Sequence, residues 1–64
     1  MTHDQGVALE AAFDAASDAL GKTHLEAIWN GLDGHLAIFA HGKHVKTAKT
    51  PAEAGVAFAE VLSA

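Results

Sequence analysis

The sequence predicts a small α+β domain of order α-β-β-β-α, a three-stranded antiparallel meander with two helices on one face. Three observations carry this expectation. Helix-start signals stand near both ends, at Thr2 and Thr50. Glycine-containing connections at 31–34 and at Gly42-Lys43 divide the middle into three segments. At 64 residues the chain supports one core at most, so residues 1–64 are read as a single compact domain.

The first element opens with Thr2-His3-Asp4-Gln5, the form of a capping box. In it the threonine hydroxyl accepts from the Gln5 backbone and the Gln5 amide reaches back. Leu9, Phe13, Ala16 and Leu20 follow at helical spacing, and Gly21 suits a left-handed stop. A helix is expected over about 4–20, with Gly6 lowering propensity in its first turn. At the other end, Thr50 is a cap, Pro51 a favoured first helical residue, and Glu53 the returning half of a box. Ala54, Phe58, Val61 and Leu62 make the apolar stripe of a helix over about 51–62. Gly55 beside that stripe is expected to allow close backbone approach.

The middle admits two readings. Segments 24–30, 35–41 and 44–48 fit three strands, with Asn-Gly and Asp-Gly in the first connection and Gly-Lys in the second. Thr23-x-x-Glu26, with Leu25, Ile28, Trp29 and Leu32 on one helical face, fits a one-turn helix at 24–30 instead. Three strands are favoured because a lone two-stranded hairpin is marginal in water. A loop at 31–34 pairs Asn30 with His35. Counting back sets Ala37 against Ile28, Phe39 against Glu26 and His41 against His24. A two-residue turn at Gly42-Lys43, glycine first as in type II′, pairs His41 with His44.

Alternation of side chains then sorts the sheet into two faces. Leu25, Ala27, Trp29, Leu36, Ile38, Ala40 and Val45 form a core face meeting Leu9, Phe13, Leu20, Phe58 and Leu62. His24, Glu26, Ile28, His35, Ala37, Phe39, His41, His44 and Lys46 form the other, which two helices cannot also cover. Ile28, Ala37 and Phe39 are therefore expected as an exposed apolar patch, and such patches mark contact sites. His24, His41 and His44 stand in one row on this side, and three imidazoles can hold a metal. Opposed residues lie about 4.5–5.5 Å apart, which leaves the outer two poorly placed to converge. Neither metal nor cofactor is expected; a solvated rim or a proton-responsive contact accounts for the row.

A second candidate surface is acidic. Glu10, Asp14 and Asp18 recur at i, i+4 and i+8 of the first helix, and Glu53 and Glu60 share a side of the second. Ala8, Ala12, Ala15 and Ala19 line the first helix's remaining face. Three carboxylates span about 12 Å of helix axis, where duplex DNA sets about seven charges. Full mimicry of DNA is not supported, but local competition for lysine and arginine side chains on a basic partner is.

Composition narrows the function. Eight acids against four lysines give a net charge of −4, which disfavours direct nucleic-acid binding. The chain has no cysteine, hence no disulfide and no thiolate nucleophile. No signal-peptide-like start and no apolar run of roughly 20 residues is present, so a cytoplasmic protein without membrane attachment is expected. Half the residues are hydrophobic, but fifteen are alanine, so the core must be thin. There is no nucleophile–base pairing, P-loop, Gly-x-Gly-x-x-Gly or His-Glu-x-x-His, and so thin a core leaves little room for a pocket. The expectation is a non-enzymatic binding domain, monomer or homodimer, that blocks a surface of a larger protein. Phage-encoded inhibitors such as anti-CRISPR or anti-restriction proteins fill such a role. The rivals are a homodimeric assembly subunit burying the open sheet face, and a histidine-based metal or pH sensor.

Overall fold

A computed structural model describes residues 1–64. The elements run α1 (His3–Ala19), β1 (Leu25–Asn30), β2 (His35–Ala40), β3 (Lys43–Ala48) and α2 (Pro51–Ser63). The strands form one antiparallel sheet of order β1-β2-β3. The α+β order is the one predicted, and residues 25–30 are strand rather than a helical turn. No helix is long and apolar enough to cross a membrane.

Both helices start at the predicted caps. The Gln5 backbone N–H donates to the Thr2 hydroxyl at 3.2 Å, and the Thr2 N–H donates to the Gln5 side-chain oxygen at 3.1 Å. At α2 the Thr50 hydroxyl accepts from the Glu53 N–H at 3.1 Å, but the returning half of that box is not formed. The far end of α2 is closed by Lys22, whose ammonium donates to the carbonyls of Leu62 and Ala64. Unpaired carbonyls and the helix dipole both favour a cation there.

The core is as thin as the composition implies. It consists of Phe13 from α1, Leu25, Ala27, Leu36, Ile38 and Ala48 from the sheet, and Ala54 and Ala57 from α2. Four of these eight are alanine, which lets α2 lie close against the sheet. Phe58 closes over Phe13 with ring centroids 4.7 Å apart. Phe13, Leu36 and Ile38 are the large apolar side chains almost wholly shielded from water. At about 1.5–3 kcal/mol each they contribute an amount comparable to the whole stability of a small domain.

Gly6 has a packing reason that propensity does not show. The Trp29 ring lies on α1 at this residue, and a Cβ there would stand 2.1–2.4 Å from three ring atoms. The ring is held in place by its indole N–H, which donates to Nδ1 of His3 at 3.1 Å. Gly55 is the reverse case. A Cβ on it would meet nothing within 4 Å, so the close approach expected there is not found.

The β2–β3 connection departs from expectation by one residue. His41 (φ 53°) and Gly42 (φ 76°) are both left-handed, and Ala40 pairs with Lys43. This is a type I′ turn centred on His41-Gly42, whose twist suits a hairpin, in place of the predicted II′ turn on Gly42-Lys43. The register then shifts: Phe39 faces His44 while Ile38 faces Lys46. Val45 is the extra residue of a bulge, and a one-residue slip exchanges the faces beyond it. Lys46, expected beside His44, therefore comes to the α2 side. Val45 and Leu20, both placed in the core by the sequence, are 45% and 59% exposed. Leu20 lies past the end of α1 as its cap. The bulge and the lysines Lys43 and Lys46 also make β3 a poor template for edge-to-edge pairing.

Candidate functional site

The acidic residues of α1 do not form one outward stripe. Glu10 Oε2 accepts from the backbone N–H of Trp29 at 2.6 Å, and Asp14 Oδ1 accepts from that of Ala27 at 3.2 Å. The cause is a match of periods. The His41 N–H donates to the His24 carbonyl, so residues 24, 26, 28 and 30 bond to β2 and the amides of 25, 27 and 29 point off the edge. Four residues of helix advance about 6.0 Å and two of strand about 6.6–6.8 Å. Carboxylates at i and i+4 thus meet successive free amides of the edge strand.

Asp18 falls out of this series for two reasons. The amide it would reach, that of Leu25, is already taken by the Lys22 carbonyl at 3.1 Å. Each four-residue step also rotates about 40° past a full turn. Glu10 and Asp14 are accordingly half-buried and Asp18 is exposed. The expectation of a single solvent-facing stripe is corrected: its first two members shield the β1 edge.

On α2, Glu60 pairs with Lys46 at 2.6 Å, both side chains about half exposed (54% and 44%). A pair in that setting is worth 1 kcal/mol at most. Glu53 is exposed. The two acids border an open groove of about 380 Å³ between α2 and β3, lined also by Ala52, Val56 and Ala57. A second groove of about 340 Å³ lies nearer the end of α2, against His24, Leu25, Val45 and Val61.

The histidine row is likewise broken. His24 and His41 stack with ring centroids 4.4 Å apart and planes 16° from parallel, as their predicted pairing requires. His44 is not their neighbour. The shifted turn sets it opposite Phe39, edge-on at 5.7 Å, with Nε2 2.7 Å from the Thr47 hydroxyl. No group of three histidine, aspartate or glutamate side chains is arranged to hold a metal ion.

What remains is the sheet face away from the helices. Burial alternates as predicted: Leu25, Ala27, Leu36 and Ile38 are buried under α1 and α2, while the residues between them face outward. Two rows cross the outward face, Glu26–Phe39–His44 and Ile28–Ala37–Thr47, with the His24–His41 stack and the Asn30–His35 pair beyond them. Ile28 is 43% exposed; Ala37 and Phe39 are half-buried. Ile28 and Phe39 thus come together as the sequence predicts. Thr47 was missed, because its place on this face depends on the bulge.

Comparison of the chain with protein-family models, with curated proteins and with solved structures returns no match.

Proposed function

We propose that this is a small non-enzymatic protein-binding domain whose working surface is the helix-free face of the sheet. The observation that supports this reading is the placement of Ile28, Ala37 and Phe39. Three apolar side chains stand in adjacent positions on a face that no other element covers, bordered by Glu26, His35, His44 and Thr47. An apolar centre inside a polar rim is the anatomy of a protein–protein contact.

The rival acidic surface is weakened by the same structure. Glu10 and Asp14 are engaged on β1 and Glu60 on Lys46, which leaves Asp18 and Glu53 as the unengaged acids of the predicted set. A salt-sensitive blocker of a basic groove is therefore the less supported reading.

The test is site-specific photocrosslinking in the cell that makes the protein. A photoreactive side chain replaces Ile28 in one variant and Ala12, on the outer side of α1, in another. The proposal expects discrete protein adducts from position 28 and background labelling from position 12. Adducts from position 12 alone, or from neither position, would refute it.

A further inference from the structure

We infer that the occupant of the helix-free face is a second copy of this chain, packed sheet to sheet about a two-fold axis parallel to β2. The inference rests on the sheet-face reading above and adds the identity of the partner.

The register supplies the reason. A two-fold axis lying in the interface along β2 keeps each residue at its height on the strand and exchanges the two sides of the sheet. β1 of one copy then lies over β3 of the other, and β2 over β2. In the row Glu26–Phe39–His44, the carboxylate meets the partner's imidazole twice, once at each end, while the two Phe39 rings meet at the axis. In the row Ile28–Ala37–Thr47, Ile28 lies over the partner's Thr47. The small Ala37 leaves room for the partner's Phe39 to lean in. A self-complementary patch of this kind is what an isologous contact requires. Sheets packed face to face keep their strands within about 30° of each other, so the rows stay in correspondence near the axis.

The groups at the ends of that row are available. Glu26 is exposed, and the chain's one ion pair is Lys46–Glu60. His44 engages Thr47 through Nε2, which leaves Nδ1 directed elsewhere. The alternative axis, across the strands, sets β1 on β1 and brings each Glu26 toward its own copy, so complementarity selects the first arrangement.

Area sets the strength. Six-residue strands at about 4.8 Å spacing and 3.3 Å rise give a face of roughly 200–300 Å². A standard interface removes about 800 Å² per partner, a fifth of the 3822 Å² this chain exposes. The dimer is therefore reversible, with a dissociation constant on the order of 100 µM, as suits a small transient contact.

Sedimentation velocity from about 10 µM to 1 mM, with two charge variants, tests this. Wild type is expected to move from monomer toward dimer across the series. Glu26→Lys, which sets cation against imidazole, and His44→Glu, which sets carboxylate against carboxylate, are each expected to weaken association tenfold or more. An equimolar mixture of the two variants sets the introduced lysine against the introduced carboxylate at one end of the row, keeps the native Glu26–His44 contact at the other, and is expected to regain wild-type association. Asp18→Lys on α1 is expected to change nothing. Circular dichroism confirms that the variants are folded. A wild type that stays monomeric at 1 mM, a dimer indifferent to both substitutions, or a mixture that fails to regain association would each overturn the inference. Crosslinks from position 28 to a different protein, beside a monomeric wild type, would refute self-association while leaving the sheet-face reading intact.

Discussion

Replacing Gly6 and Gly55 by alanine makes the same chemical change in two helices, yet the structure predicts opposite signs. In a helix interior, glycine to alanine gains about 0.5–1 kcal/mol, largely by restricting the unfolded chain. At Gly55 the new methyl meets nothing within 4 Å, so this gain should appear in full, raising Tm by about 2–8 °C for a domain of this size. At Gly6 the methyl would lie 2.1–2.4 Å from three atoms of the Trp29 ring. Overpacking costs about 1–3 kcal/mol. Displacing the ring also forfeits the indole bond to His3, a further 0.5–1.5 kcal/mol or so. The net expectation for Gly6→Ala is a loss of about 1–3 kcal/mol and a Tm lower by roughly 4–24 °C. Urea and thermal unfolding measure the free energies. Trp29, the chain's only tryptophan, should shift its emission to the red as its ring moves into water. In a Trp29→Ala background the Gly6→Ala loss should vanish. Stabilisation by Gly6→Ala equal to that at Gly55, or a loss that persists without the ring, would refute the packing argument.

Three further outcomes follow from the same contacts. Glu10→Ala removes the acceptor of a partly buried amide and should cost about 1–2 kcal/mol, with Glu10→Gln recovering part of it. Hydrogen exchange should show faster exchange at the Trp29 amide in Glu10→Ala, at the Ala27 amide in Asp14→Ala, and no change in β1 for Asp18→Ala. Lys22→Met should cost about 0.3–1 kcal/mol by uncapping α2, and NMR order parameters should show the loss as fraying confined to its last turn.

Local signals and one pairing count made most of the architecture legible. Thr2, Thr50 and Pro51 act within a few residues, so their helices start where the sequence places them. The four-residue loop after Asn30 fixes the β1–β2 register, and with it the pairings Glu26–Phe39 and Ile28–Ala37. The β2–β3 register failed because two turn types compete for Ala40-His41-Gly42-Lys43. The winner asks His41 to adopt φ 53°, a conformation glycine and asparagine take more readily. That turn set His44 opposite Phe39 and broke the three-histidine row, and the bulge at Val45 then moved Lys46 to the α2 side. Gly6 and the Glu10–Asp14 pair act across the fold. Periodicity shows the acids four residues apart but not the strand edge whose spacing they match. A sequence signal does exist: Glu10 follows Leu9 and Asp14 follows Phe13, so both flank the buried stripe rather than oppose it.

Isotope-filtered NMR on a mixture of labelled and unlabelled protein, near 1 mM, addresses the two-fold sheet contact itself. Intermolecular contacts are expected between the two Phe39 rings and between Glu26 of one copy and His44 of the other, with none from α1. Intermolecular contacts confined to α1 or α2, or none at all, would contradict the two-fold contact.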